Sequence, residues 1–193
     1  INHDLFKPPL NKEKTRKEIL SKFKLPISKY FVHVGEHNWV RKNYLRLFDA
    51  YAEAQKLGLK HQFIFVGKYA PHIKKKGERI PGIKFLGWVL DHHLVNLLQG
   101  ADAFLLPSIH EGFGMPLVEA MACGVPSITT NKHAPPEVVG DAGILVNPLD
   151  TSEIATKMLQ AATDDVLLSK LSQNSLKRAK MFSWENNAKQ ILE

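Results

Sequence analysis

The chain has 193 residues, of which 44% are hydrophobic and 23% charged, with a formal net charge of +7. This size and composition predict one globular domain with a full core. No apolar run approaches the roughly 20 residues of a membrane-spanning helix. The single cysteine, Cys123, excludes an internal disulfide, fits a reducing cytoplasm and is expected to be a small core residue.

The net charge hides an asymmetry between the two halves of the chain. Residues 1–90 carry 19 Lys and Arg against 7 Asp and Glu, whereas residues 91–193 carry 7 against 12. The basic half could attract a nucleoside diphosphate, an anionic membrane surface or nucleic acid. Aromatic residues are not interleaved with the basic ones as in RNA-recognition motifs, which argues against nucleic acid. Most of the lysines, including those at 74–76, are expected on solvated surface.

In chain order, residues 1–9 are irregular and end in two prolines, which predicts an interdomain linker, and residues 10–193 then form one domain. Charged residues surround Ile19, Leu20 and Phe23, so residues 11–24 are predicted to be an amphipathic helix. Residues 30–34 predict the first buried strand. The helix after Lys42 is predicted to have the following residues on its buried side: Leu45, Leu47, Phe48, Tyr51 and Ala52.

Five more strands are predicted, at residues 63–67, 83–87, 101–106, 125–129 and 144–146, of which 63–67 and 101–106 are expected to be buried. Helices are predicted at residues 91–99, with Asp91 as the N-cap, and at 117–122, 152–162, 165–181 and 183–192. Short apolar strands that alternate with helices indicate an α/β fold, in which a Rossmann-like parallel sheet carries helices on both faces. Ligands of such sheets bind at the carboxyl ends of the strands.

The loop after the fourth strand reads Glu-Gly-Phe-Gly-Met-Pro at residues 111–116 and leads into a short apolar helix that Gly124 ends. Glycines let a ligand approach the backbone closely, and the amides and dipole at a helix start favour phosphate. Pro116 falls where the first turn of a helix tolerates proline. Glu111 and Glu119 flank this anion site, and carboxylates suit it if each accepts hydrogen bonds from sugar hydroxyls.

The run EGFGMPLVEAMACGVP at residues 111–126 closely resembles the signature of group 1 (family four) retaining glycosyltransferases of the GT-B fold. The match continues through residues 134–143 and 146–148. This resemblance implies the carboxy-terminal, donor-binding half of such an enzyme, with the amino-terminal acceptor domain absent from the chain. The fragment alone is then expected to be inactive.

The resemblance also implies a role for individual residues. For the diphosphate, the donor-binding candidates are Arg41, Lys42 and the backbone amides of Gly114, Met115 and Leu117, and Gly112 and Phe113 belong to the same loop. Val89 is the candidate for the base, Glu119 for the ribose and Glu111 for the hexose. Glu111 is also the catalytic candidate. Glu36 departs from the family pattern, which often has an arginine there, so one positive charge near the leaving group is missing or comes from elsewhere.

No metal or other cofactor is expected, because no Asp-x-Asp motif is present and His92, His93 and His110 lack the spacing of a zinc site. By its resemblance to enzymes of polysaccharide and lipopolysaccharide assembly, the chain is expected to use GDP-mannose, with UDP-glucose next. The acceptor is expected to be a glycan or a lipid-linked hydroxyl. A cytoplasmic protein is expected, and attachment to the inner face of the membrane would depend on residues outside this chain.

Other interpretations stay open from the residues alone. Arg41 and Lys42 also suit a solvated helix start, and Trp88 with Val89 could merely cover the core. Paired glutamates occur in glycosidases, but those have no use for a phosphate-type helix start. A dehydrogenase would need a G-x-G-x-x-G motif and a P-loop enzyme a Walker A motif, and both are absent. A sugar-nucleotide binding module without chemistry and a nucleotide-sugar epimerase are the remaining alternatives.

Overall fold

The computed structural model describes residues 1–35 and 40–183 of the chain. Its strands are β1 (Tyr30–Val34), β2 (Gln62–Val66), β3 (Ile83–Gly87), β4 (Ala103–Leu106), β5 (Ser127–Thr130) and β6 (Gly143–Val146). Its helices are α1 (Lys12–Lys22), α2 (Tyr44–Lys56), α3 (Pro71–Gly77), α4 (Asp91–Gly100), α5 (Met115–Ala122), α6 (Pro135–Val139), α7 (Thr151–Thr163) and α8 (Asp165–Ala179), with a 3-10 turn at Gly140–Ala142.

The strands form one parallel sheet in the order β3-β2-β1-β4-β5-β6. The order reverses between β1 and β4, which are neighbours in the sheet although β2 and β3 lie between them in the chain. Because crossovers between parallel strands are almost always right-handed, winding in both directions from this point distributes the connecting helices over the two faces. The predicted α/β fold, a Rossmann-like parallel sheet with helices on both faces, is confirmed.

A separate hydrophobic core covers each face of the sheet. Val32 and Phe104 pack on the face that carries α1, α4 and α5, whereas Phe31 and Phe63 pack on the face that carries α2, α3 and α7. A strand that is buried on both faces has no polar side to alternate with its apolar one. This is why inner strands such as β2 and β4 stand out in the sequence as short, mainly apolar runs. The edge strands β3 and β6 are only partly buried.

Some local predictions are wrong. Asp91 is not the N-cap of α4, because Leu90 holds that position and Asp91 is the first helical residue. An acidic residue suits either position, since it complements the helix dipole throughout the first turn. On α2, Leu45 packs against the core as predicted but is only partly buried, and Ala52 is half-buried as well. Helix α2 also buries residues that were not predicted: Tyr44, Ala50 and Ala54.

Two short helices, α3 and α6, were not predicted. Each is seven residues or fewer and begins with proline, so neither contains enough turns to show a helical period. The predicted helix at 183–192 lies outside the described residues, apart from Ser183. Glu36 also lies outside them.

The amino-terminal residues contact the domain. Phe6 is buried in the core on the α1 and α4 side of the sheet. The assignment of residues 1–9 as a linker stays a prediction. Across residues 1–35 and 40–183, no helix combines the length and apolar character needed to cross a membrane.

Candidate functional site

The candidate site lies at the carboxyl ends of β1 and β4, the central strands of the sheet. The chain leaves these two strands towards opposite faces, which opens a crevice where the strand order reverses. The loop after β1 brings Arg41 and Lys42 to this crevice, and the loop after β4 brings Glu111. Lys42 and Glu111, which are 69 positions apart in the sequence, therefore meet at one point.

Lys42 and Glu111 form a buried ion pair. Lys42 Nζ donates to Glu111 Oε2 at 2.6 Å, and the two side chains are 11% and 10% exposed. Ser108 Oγ donates to the same carboxylate oxygen at 3.3 Å. Each charge compensates the burial of the other, so removing either would leave an uncompensated charge. The pair holds one cation and one hydrogen-bond acceptor side by side in the crevice.

Helix α5 begins at the end of the glycine-containing loop. Gly114 is its N-cap with a φ of 87°, a left-handed conformation that glycine adopts without strain. The N–H of Leu117 donates to the Gly114 carbonyl at 2.8 Å, so the first turn already uses that amide. The amides of Gly114 and Met115 have no hydrogen-bond partner within the described part of the chain. They are the donors that this helix start can offer to an anion.

A cavity of about 370 Å³ opens beside the ion pair, along the ends of β1, β2 and β3. It is lined by Val34, Gly35, Arg41, Lys42, Val66, Gly67, Trp88, Val89, Asp91, Leu94 and Pro116. Three predicted donor-binding residues, Arg41, Lys42 and Val89, thus share one cavity. Its floor requires glycine, since a Cβ at Gly67 would lie 1.9 Å from the Gly35 carbonyl oxygen. Its volume is in the range of small-molecule and cofactor sites.

Neither of the two glutamates lines this cavity, but each interacts with a residue that does. Glu111 adjoins it through Lys42. Glu119 is half-buried on α5, where burial, together with the nearby charge of Asp91, raises the pKa of the Glu119 carboxyl. Asp91 itself lines the cavity, so two carboxyl groups lie at the edge next to α4 and α5.

The other loop residues are at the surface. Gly112 is exposed, and Phe113 and Met115 are each 42% exposed. The Phe113 ring packs edge-on against Phe182, with 5.7 Å between ring centroids. Phe113 therefore joins the loop to the segment after α8, and it does not line the cavity.

Sequence reasoning missed three residues that bear on this site. The sequence assigns Asp91 only a capping role, although it follows β3 closely and therefore lies at the edge of the sheet where ligands bind. Asn43 follows Lys42 and is 5% exposed, and His33 is fully buried in β1. His33 belongs to the predicted buried strand, but nothing local indicates its contacts, and no local pattern distinguishes Asn43 from a surface residue, because the partners of both come from strands that are distant in the sequence.

His33 lies in the core directly below the crevice. Its Nδ1 is 2.7 Å from the Leu105 carbonyl oxygen, so the neutral ring donates there. Its Nε2 is buried without a hydrogen-bond partner in the described residues. Burial lowers the pKa of His33 to about 3; the Leu105 hydrogen bond opposes this effect, and the charge of Lys42 adds to it.

Lowering the pH is expected to destabilise the wild-type chain more steeply than a His33→Asn variant. His33 has an ordinary pKa of 6.5 when unfolded and about 3 when folded, so the unfolded state binds more protons between these values. The stabilising contribution is complete above pH 6.5 and is lost as the pH falls towards 3. The two slopes should differ by up to about 1.4 kcal/mol per pH unit. Urea unfolding at several pH values measures them, and parallel curves would contradict this assignment.

The fold and the crevice define a doubly wound α/β domain with a ligand site where the strand order reverses. A family model described as "Glycosyl transferases group 1" matches residues 28–164, which is more than half of the chain. The chain therefore belongs to the group 1 glycosyltransferases.

Curated relatives include several mannosyltransferases. The O-antigen chain mannosyltransferase B of Escherichia coli is 35% identical over 181 residues, covering 90% of this chain and 47% of that protein. The MMP alpha-(1->4)-mannosyltransferase of Mycolicibacterium hassiacum is 38% identical over 106 residues, covering 53% of this chain and 26% of that protein. This chain spans about half or less of the length of these relatives.

Solved structures share the fold. The C-terminal domain of the group 1 family protein LpcC from Francisella tularensis matches with a TM-score of 0.79 and 24% identity, covering 94% of this chain and 97% of that one. HepE of Anabaena, solved in complex with UDP-glucose, matches with a TM-score of 0.84 and 21% identity, covering all of this chain and 54% of that one. The resemblance to a carboxy-terminal domain of a group 1 glycosyltransferase is thus confirmed.

Proposed function

We propose that this chain binds a nucleoside diphosphate hexose for retaining transfer to a hydroxyl of a glycan or lipid-linked acceptor. One observation carries the proposal: the Lys42 and Glu111 ion pair lies in the crevice beside the 370 Å³ cavity. It combines a cation for phosphate with an acceptor for sugar hydroxyls. GDP-mannose is the favoured donor because relatives are named mannosyltransferases. UDP-glucose is second, since the Anabaena protein was solved with it.

The diphosphate would lie between Lys42 and the start of α5. Lys42 can donate from its ammonium, and Gly114 and Met115 can donate from their amides, with the positive end of the helix dipole behind them. Arg41, which lines the same cavity, adds a second cation. The Leu117 amide would join these donors only if the first turn of the helix opened, because it donates to Gly114.

The nucleoside would occupy the cavity at the ends of β2 and β3. Val89 borders it as the candidate contact for the base. Glu119 would accept hydrogen bonds from the ribose, and Asp91 offers a further carboxylate at the same edge. These oxygens suit hydroxyl donors, whereas they would repel the diphosphate, so they orient the nucleotide along the crevice.

Glu111 would accept hydrogen bonds from the hexose, next to the phosphate that departs with the nucleotide. The catalytic contribution of this chain is then to stabilise the negative charge that develops on the diphosphate. Lys42, Arg41 and the helix start supply positive charge for this, so the proposal includes no metal. Acceptor binding is assigned to an amino-terminal domain absent from this chain, and the isolated chain is expected to be inactive. The proposal also includes a cytoplasmic location, with any contact to the inner membrane face made by other parts of the enzyme.

Calorimetric titration of the chain with GDP, UDP and ADP tests the donor. We expect GDP to bind about tenfold more tightly than the other two, a difference of about 1.4 kcal/mol. A variant of an exposed lysine on α3, Lys75→Met, should bind all three like the wild type. Tightest binding of UDP would favour the UDP-glucose assignment, and lack of binding to all three would overturn the proposed function.

Transfer requires a second experiment. The chain should be joined to the amino-terminal half of its own enzyme and incubated with GDP-mannose and a mannan acceptor. The product anomer, determined by NMR, should have the configuration of the donor. Tight nucleotide binding without transfer would instead favour a binding module that has no chemistry.

A further inference from the structure

Asn43 occupies an unusual position at the start of α2. It is the N-cap residue, but its backbone is left-handed, with φ 63° and ψ 29°, and its side chain makes no capping hydrogen bond. Asn11 at the start of α1 shows the ordinary arrangement: it is extended, and its side chain accepts from the Lys14 amide. The side-chain amide of Asn43 therefore has a function other than capping.

That amide connects the ends of two other strands. Asn43 Nδ2 donates to the carbonyl oxygen of Pro107, after β4, at 3.0 Å. It also donates to the carbonyl oxygen of Pro148, after β6, at 2.6 Å. Its Oδ1 accepts from Arg46 Nη1 at 2.8 Å, which fixes the amide with its nitrogen towards the two carbonyls. Asn43 is 5% exposed, so water cannot readily replace these bonds.

The residue on the other side of Lys42 is attached to the same loop. The Ile109 amide donates to the Arg41 carbonyl at 2.8 Å. The loop after β4 is thus bonded to the chain both before and after Lys42. Glu111, which pairs with Lys42, belongs to that loop as well. The backbone at Lys42 is therefore fixed relative to Glu111 by contacts that do not involve the ion pair.

We propose that Asn43 is a positioning residue for diphosphate binding, which it serves by fixing Lys42 at the crevice. This inference rests on the proposed function, since it assigns Lys42 to the diphosphate. Glycine would adopt the left-handed conformation but could not bond the two carbonyls. Aspartate would also adopt it and would pair with Arg46, but it would direct a carboxylate at two carbonyl oxygens.

Calorimetry of an Asn43→Asp variant with GDP and with guanosine tests the inference. We expect the variant to bind GDP about tenfold more weakly and guanosine within about twofold of the wild type, since a displaced Lys42 affects only the diphosphate. In a Lys42→Met background, Asn43→Asp should change GDP affinity by less than about twofold, because the residue through which it acts is gone. Should the aspartate variant fail to fold, Asn43→Gly replaces it in the same cycle.

The outcomes separate this inference from the function on which it rests. Equal weakening of GDP and guanosine, or additive effects of the two substitutions, would mean that Asn43 is merely structural and would overturn the inference. Unchanged GDP affinity in the variant would do the same while leaving the proposed function standing. A wild-type chain that binds none of GDP, UDP and ADP would overturn both.

Discussion

Replacing Lys42 by methionine is expected to weaken GDP binding about 100-fold, which corresponds to about 2.7 kcal/mol. Methionine retains the length and apolar stem of the side chain but removes the ammonium. Charge-assisted hydrogen bonds to phosphate are lost, and these are stronger than neutral ones. In addition, Glu111 remains buried without its cation, next to the place proposed for the diphosphate, and like charges there oppose binding. Calorimetry with GDP measures the loss.

Two control variants separate these contributions. A Lys42→Met/Glu111→Gln double variant removes the repulsion as well as the cation, so it should regain about tenfold of the lost affinity. Lys75→Met, on exposed α3, should bind GDP like the wild type and exclude a general effect of net charge. GDP affinity within about threefold of the wild type in Lys42→Met would remove Lys42 from the proposed site.

The sequence alone predicted most of the fold, because the inner strands of the sheet are buried on both faces. β1 is a buried, mainly apolar run, and its predicted bounds match the structure. The bounds of the edge strand β3 also match, although it is only partly buried and contains Lys84. Where apolar and polar residues were not clearly separated along the sequence, the prediction failed. Helix α3 carries three consecutive lysines, Lys74, Lys75 and Lys76, and only Ile73 and Gly77 are buried, so its residues look like solvated surface.

The sequence predicted which loops form the candidate site, but not how the side chains of these loops contact one another. Lys42 and Glu111 were each identified within their own segment, and nothing local indicates that they are bonded to each other. Their contact follows from the pairing of β1 with β4, which puts the two loops at adjacent strand ends. Asn43 is a stronger case, because its role depends on carbonyl groups after β4 and β6. Backbone carbonyls leave no signature in a sequence.

The ion pair also changes what is expected of Glu111. From the residues alone, Glu111 and Glu119 are two carboxylates that flank an anion site, and only the family resemblance assigns Glu111 to the hexose and Glu119 to the ribose. In the structure, Glu111 is bonded to the cation that is proposed to bind phosphate, whereas Glu119 lies near another carboxylate, Asp91. Neutralising Glu111 therefore frees Lys42, while neutralising Glu119 has no such effect. The two variants should behave differently.

A Glu111→Gln variant is expected to reduce kcat/KM for transfer from GDP-mannose by 100-fold or more, about 2.7 kcal/mol, in the enzyme completed with its amino-terminal half. Glutamine is nearly isosteric with glutamate, but it keeps one acceptor oxygen and loses the negative charge. Its hydrogen bonds to the hexose are therefore weaker, and the hexose is less well aligned with the departing diphosphate. On the isolated chain, GDP should bind as tightly as to the wild type or more tightly, because Lys42 no longer has a competing partner. The affinity that mannose adds to GDP should disappear.

Glu119→Gln is the matched control for this prediction. Its proposed partner is the ribose, which GDP and GDP-mannose share, so both ligands should bind more weakly by the same factor, about tenfold. Titrating both variants with both ligands gives four affinities, and their ratios assign the hexose to one glutamate and the ribose to the other. If Glu111→Gln weakened GDP and GDP-mannose equally, Glu111 would act only by holding Lys42 in place, and the hexose would have to be bound by another residue.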